Sequence, residues 1–445
     1  MSAKKNDEIK VNSLLNIRVA NNTSLTQSAN ILGGTQDPLG VPAHNLYQWS
    51  LGSNDYFGDN NLTIQVSTTQ NPTVIDYIVP LQGNGIQAIV NALNSLGIGF
   101  FQYSGTTLYV SNDFYIYGEL IITGNAFTMT WKTDNLSIGS SANNQIKLPL
   151  EPTGSYDFTI DWGDGQRSQI TSWNQAETTH TYSVIGTYTV KIVGTLVGWR
   201  FNDTGDKLKI LTISNWGDLR LGNSGNYFQG CANVTMDTIA DILNLDTTTT
   251  LAYLFYGCTA LTTVGKMNDW NTNSIISLER SFSLAFNFNQ NLSSWDTSNV
   301  ENFNSTFYGS LVYNQPLNTW VTSSVSNMAF MFRDAILFNQ NLASWDLSNV
   351  RDISSMFANA FAFNFSLQTW NLENITDAFS FMTGKTSADF NTQFLADMYT
   401  AWSNQNVQIG LEIDFGNIGY NASGQAGRDI LTGVFGWIIT DGGVV

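Results

Sequence analysis

Trp270, Trp295, Trp320, Trp345 and Trp370 recur at a fixed step of 25 residues, a periodicity that excludes an ordinary single-core domain for this part of the chain. Other columns keep the same step. Phe282, Phe307, Phe332 and Phe357 form one; Phe288, Tyr313, Phe338 and Phe363 a second; Leu292, Leu317, Leu342 and Leu367 a third. Two further apolar columns start at Ile275 and Leu278, and small residues (Ala285, Ser310, Ala335, Ala360) stand between the aromatic ones. A unit of 25 residues cannot bury a Trp and a Phe by itself, so stacked copies must share one continuous core. The expected body over residues 251–382 is a solenoid. Within a unit, Asn299-Val300 and Asn349-Val350 read as a strand, and Met356-Phe357 as a turn or short helix.

Two Asn columns run through the array: Asn289, Asn314, Asn339 and Asn364, and Asn299, Asn349 and Asn374 with Ser324 interrupting. They fit either ligand contacts on the outside or internal amide ladders that satisfy turn backbone once per coil. The ladder is the simpler reading, because that need recurs in every unit. Ligand specificity is then expected in the irregular positions between the columns.

The units "FNQNLSSWDTSNVENFNSTF" (288–307) and "FNQNLASWDLSNVRDISSMF" (338–357) resemble the BspA-like, leucine-rich-repeat-related units of bacterial surface proteins. That resemblance implies surface adhesion or protein contact and no catalysis. Residues 251–270 depart from the strict step, and "FQGCANVT" (228–235) parallels "FYGCTALT" (255–262) as a more divergent unit. The last sixty residues, with "LEIDFGNIGY" and "GRDILTGVFGWIITDGG", are similar to the segment that closes such arrays, with a helix expected over 426–434 and a strand over 437–440. A cap is required on physical grounds, since an open end exposes apolar surface and strand edges.

Upstream, "GSYDFTIDWGDGQ" (154–166) alternates Tyr156, Phe158, Ile160 and Trp162 before a Gly163-Asp164-Gly165 turn, and "HTYSVIGTYTVKIVG" (180–194) alternates Tyr188, Val190 and Ile192. The pair resembles the polycystic-kidney-disease (PKD) domain, which implies a β-sandwich. Asp161 and Asp164 are a candidate Ca²⁺ pair, but two carboxylates are few for such a site and an Asp-Gly turn needs one anyway. His180 belongs to a strand start in that pattern and has no nucleophile beside it.

Residues 13–123 read as a small α+β or β-rich module: a strand over 74–79, a helix carrying Ile86, Ile89, Val90 and Leu93, and a hairpin over 98–103 and 107–110. Gly83-Asn84-Gly85-Ile86-Gln87-Ala88 has the letters of a dinucleotide fingerprint, but no second βαβ unit and no acidic residue at the ribose spacing follow it. A loop and helix start is the better reading, and no cofactor is expected. Residues 14–34 and the later hairpin have a general similarity to N-terminal modules of phage virion proteins from Bacteroidetes hosts.

The expected layout is therefore multidomain and β-rich. It comprises a flexible start at 1–12, an attachment module at 13–123, a PKD-like sandwich at 124–203, a repeat solenoid at 204–385 with regular units over 258–382, and a cap at 386–445. Charged residues make up only 12% of the chain, against a usual quarter, and the formal net charge is −17. No Lys or Arg occurs between Arg18 and Lys132, so a phosphate backbone would find little to neutralise it and nucleic-acid binding is not expected. No run of apolar residues reaches membrane-spanning length, and the N-terminal residues lack the apolar core of an export signal. Cys231 and Cys258 occupy matching places in adjacent units, which fits either a disulfide or two buried small apolar side chains.

A glycan-cleaving enzyme needs two carboxylates at a set separation. The column after each Trp reads Asp296, Val321, Asp346, Asn371, which does not maintain one. The sequence thus points to a non-enzymatic phage virion protein of fibre or decoration type. The N-terminal module would hold sister virion proteins or form a homo-oligomer, and the solenoid would meet host glycan or protein. The alternative is a secreted bacterial adhesin.

Overall fold

The computed structural model describes residues 126–445 throughout and, of residues 1–125, the backbone of nine strands. The chain divides into two compact units, 1–126 with 193–195, and 127–192 with 196–445. In the first, β1 (Arg18–Val19), β2 (Thr23–Ser24), β5 (Asn61–Thr68), β6 (Asn71–Pro80) and β9 (Leu120–Thr123) form a sheet in the order β2-β1-β9-β5-β6. A second sheet, β3-β4-β8-β7, joins β3 (Thr26–Gln27), β4 (Leu46–Ser50), β7 (Phe100–Ser104) and β8 (Thr107–Ser111). The expected strand over 74–79 falls inside β6. The expected hairpin is β7–β8, closed by the Ser104↔Thr107 pair. The helix expected around 86–93 and the Gly83–Ala88 loop lie outside the described residues, as does the flexible start at 1–12.

The second unit begins with β10 (Phe127–Lys132), β12 (Leu150–Asp161), β13 (Arg167–Ile170) and β15 (Thr187–Trp199) in one sheet, flanked by the short pair β11 (Gln145–Lys147) and β14 (Thr179–Thr181). The alternation read from sequence sets the buried face: Tyr156, Phe158, Ile160, Trp162, Val190 and Ile192 are all buried. The sheet does not stop at residue 203. β16 (Ile210–Asn215) pairs antiparallel with β10, and β17 (Leu219–Arg220) runs parallel to β15. Thr212 then bridges in parallel to Thr235, and Met236 to Val264, so the same sheet edge is where the repeats begin to stack.

From there each unit is laid on the last. Parallel bridges run Thr250, Ser277, Asn302, Asn327, Asp352, Asp377. One turn per unit is also stitched to the next by backbone bonds: Phe255 N donates to Ser281 O (2.8 Å), Phe282 N to Thr306 O (3.0 Å), Phe307 N to Met331 O (2.9 Å) and Phe332 N to Met356 O (2.9 Å). The first steps are longer. Phe228, Phe255 and Phe282 are 27 residues apart before the 25-residue step sets in, and Phe228 N donates to Leu254 O in the same pattern (3.0 Å).

The strand expected at Asn299-Val300 is instead a turn. Asp296 Oδ1 accepts from Ser298 N (3.0 Å) and Thr297 O from Val300 N (3.0 Å), which closes the chain before it can extend. Each unit keeps a single bridging residue two positions further on, and Met356-Phe357 lies in a turn. Two residues per unit have left-handed backbone: one column holds Tyr253, Arg280, Ser305, Phe330, Ser355 and Ser380, the other Leu284, Gly309, Asp334, Asn359 and Gly384.

The aromatic columns form the shared core. Phe282, Phe307, Phe332 and Phe357 stack at 5.4–5.7 Å, and each packs on its own unit's second ring, as Phe332 does on Phe338 at 3.9 Å. Every Trp of the column is buried, and from Trp295 onward its Nε1 donates to a backbone carbonyl of the preceding unit at 3.0–3.1 Å. Tyr313 stands where the other units have Phe. Its hydroxyl is buried without a hydrogen-bond partner among the described residues, and burial pushes the phenol well above its ordinary pKa. Tyr313→Phe is therefore expected to stabilise the array by about 1 kcal/mol, read as a higher urea midpoint; a lower midpoint would show that the hydroxyl is satisfied.

The array ends in α1 (Thr392–Trp402), β18 (Glu412–Asp414), α2 (Gln425–Gly433) and β19 (Ile438–Thr440). Ala378 bridges to Ile413, and β18 pairs in parallel with β19, so the stacking ladder runs on into this segment. The helix and strand expected near the C-terminus are α2 and β19. Helix α1, absent from the sequence expectation, buries Leu395, Tyr399 and Trp402, the last two against Phe415 at 5.6 and 6.3 Å, and Asn391 caps it by accepting from Gln393 N.

At the junction, Lys385 occupies the small-residue column of Ala335 and Ala360. It is fully buried, with Nζ donating to Ala360 O (2.7 Å) and Phe361 O (3.1 Å). Burial pushes the ammonium down to about 8, with Asp389 opposing. The unfolded chain keeps the proton up to about 10.4, so between these values it binds more protons than the fold does and stability must rise with pH. A gain of about 2 kcal/mol between pH 8 and pH 10 is expected from denaturant titrations. Lys385→Met should remove that slope, and an unchanged slope would assign it elsewhere.

Candidate recognition face

Most residues singled out from the sequence are engaged in bonds within the fold. Asp161 Oδ1 accepts from Gly163 N (2.9 Å) and Oδ2 from Arg167 Nε (3.1 Å). Asp164 Oδ1 accepts from Gln166 N (3.0 Å), and its Oδ2 lies 2.8 Å from His180 Nε2. Burial works to raise the Asp164 carboxyl, yet the His180 ring and the Gln166 N–H together hold it below its ordinary value. His180 stacks on Trp162 at 4.8 Å within β14, and Tyr182 Oη donates to Trp162 O (2.9 Å). The carboxylates thus tie the turn to β13 and to β14.

Cys231 and Cys258 are free and fully buried, in the column continued by Ala285 and Ser310. Cys258 Sγ donates to Phe228 O (3.1 Å), and burial pushes both thiols up. Of the two readings, buried small side chains is the one observed. Ser310 Oγ makes the equivalent bond to Phe282 O (2.7 Å).

Both Asn columns bond the backbone. Asn299, Asn349 and Asn374 Nδ2 donate to Asn273 O, Ser323 O and Ser348 O at 2.6–2.7 Å, and Ser324 Oγ does the same to Ser298 O. In the other column Asn289 Oδ1 accepts from Asn314 N (3.0 Å), Asn314 Oδ1 from Asn339 N (2.9 Å) and Asn339 Oδ1 from Asn364 N (3.0 Å). This ladder lies at the surface rather than inside. A backbone N–H can only donate, so each amide oxygen must face its neighbour and each Nδ2 is left to point away from the ladder.

Beside it lies a feature that the aromatic columns hid. Phe288 N donates to Ala285 O, Tyr313 N to Ser310 O, Phe338 N to Ala335 O and Phe363 N to Ala360 O, at 3.0–3.2 Å. Each bond closes a tight turn whose two tip residues project at one corner of the unit. Those tips are Phe286-Asn287, Leu311-Val312, Ile336-Leu337 and Phe361-Ala362. Phe286, Leu311, Leu337 and Phe361 are 38–51% exposed, although burying a large apolar side chain is worth about 1.5–3 kcal/mol. Leu337 N donates to Leu311 O and Ala362 N to Ile336 O, which holds the corners in line. The signal was present in the sequence, since Phe286, Leu311, Ile336 and Phe361 keep the 25-residue step and are all apolar, the exposed Leu337 standing one place further on; the contact was expected at irregular positions instead.

No helix among the described residues is long and apolar enough to cross a membrane. No curated protein and no solved structure matches the chain. Residues 222–331 and 302–398 each match the family model described as a Mycoplasma protein of unknown function, DUF285. The stretch so matched is the stack of repeated units, which is therefore similar to DUF285 sequences and compatible with the BspA-like pattern of its motifs.

Proposed function

We propose that this chain is a non-catalytic surface protein that adheres through its repeat solenoid, with the corner ridge of Phe286, Leu311, Leu337 and Phe361 as the contact. The ridge carries the reading: isolated exposed apolar residues are ordinary, but an aligned run of them across four consecutive units marks an interaction site. Purified chain should be retained on bacterial cell envelopes, and the exposed-site variant Leu311→Asp with Phe361→Asp should lose retention while keeping its melting profile. Equal retention of the variant would sink the proposal. In its finer form the surface is that of a phage particle, carried there by the N-terminal module and, between it and the solenoid, a PKD-like spacer. Peptide mass spectrometry of purified particles tests this form, and finding the chain only in cell-envelope fractions overturns it in favour of the secreted adhesin.

A further inference from the structure

Resting on that adhesive reading, we infer that the corner ridge and the adjoining amide ladder bind an uncharged, β-1,4-linked polysaccharide lying along the stacking direction. The spacing is the first reason. The two ring columns that flank the tips repeat at 5.4–6.3 Å per unit, close to the length of one hexose in an extended chain, so successive sugars can follow successive units. The chemistry is the second. Each unit offers one exposed apolar tip, suited to the C–H face of a pyranose, and, two or three residues away, one ladder Asn whose Oδ1 is used by the backbone and whose Nδ2 suits a sugar hydroxyl.

Charge is the third. Residues 285–290, 310–315, 335–340 and 360–365 contain no Asp, Glu, Lys or Arg, in a chain of formal net charge −17. The strip thus offers an ionic group nothing to pair with, and the chain's overall charge repels an acidic glycan. A folded protein partner fits less well, because specific protein interfaces cover about 800 Å² per side, and the ridge is only two residues wide.

Calorimetric titration of the full chain with cello-, manno- and chito-oligosaccharides, from disaccharide to hexasaccharide, tests the inference. Affinity for at least one series should rise with length up to the tetrasaccharide, matching the four tips, then level off, and be insensitive to salt. Leu311→Ser with Phe361→Ser should weaken binding about tenfold with the fold intact. The inference is overturned if no series binds, if affinity ignores length, or if the variant binds as well as the parent. If the ridge variant loses envelope retention while no oligosaccharide binds, only the glycan assignment falls. Loss of retention on protease-treated envelopes would identify a protein partner instead. If oligosaccharides bind but the parent chain is not retained on envelopes, the adhesive reading is the one that fails.

Discussion

Trp320→Ala is expected to cost about 3–5 kcal/mol, the range for deleting a buried Trp side chain. Trp320 is 3% exposed, packs against Phe303 at 5.1 Å and Phe307 at 6.0 Å, and donates from Nε1 to Leu292 O in the preceding unit (3.0 Å). The substitution therefore leaves a cavity between units and removes one of the two donors to Leu292 O, which keeps its bond from Trp295 N (3.1 Å). Because each unit is stabilised only by its neighbours, the damage should divide the array into halves that unfold separately. Urea titration followed by circular dichroism should show a broadened or biphasic transition. Trp320→Phe keeps most of the ring and loses the indole bond, so about 1–2 kcal/mol is expected there. A Trp320→Ala cost no larger than that of Trp320→Phe would mean that the Trp column is not a shared core.

Asp206→Asn is expected to be comparably damaging, although it is nearly isosteric. Asp206 and Lys209 are both fully buried and 3.2 Å apart. Asp206 accepts from Ser141 N, Ser141 Oγ and Lys147 N at 2.6–2.7 Å, while Lys209 Nζ donates to Ser141 O, Ala142 O and Gln145 O at 2.9–3.1 Å. The pair thus fastens the loop before β11 to the segment leading into β16. An amide would turn a donor toward two donors and leave an ammonium buried without its counter-charge, at a cost of about 3–5 kcal/mol. Burial already pulls the Lys209 ammonium below its ordinary pKa. Adding Lys209→Met to Asp206→Asn should recover part of the loss, because it removes the orphaned charge. A double variant worse than the sum of the singles would show that the carbonyl bonds, not the charge, dominate.

The Trp, Phe and small-residue columns were legible because a shared core imposes the same volume at the same place in every unit. The strand expected at Asn299-Val300 failed for a local reason: Asp296 and Thr297 spend their acceptors on closing a turn there. The corner ridge was hidden by its place between two aromatic columns, where apolar residues read as more core. Whether a side chain such as Phe361 points in or out depends on the tight turn around it.

The sequence by itself determined that the C-terminal half is a periodic stack and which residues line its core. Only the tertiary structure decided the rest. Left-handed backbone at Tyr253, Arg280 and Phe330 carries no residue signal, because bonds to the next unit, such as Phe330 N to Ser354 O (2.8 Å), compensate a conformation that costs about 1–2 kcal/mol in isolation. Likewise β16 joins the β10 edge across residue 203. Pairing between segments distant in sequence is fixed by which edges are left unpaired, and local composition does not encode that.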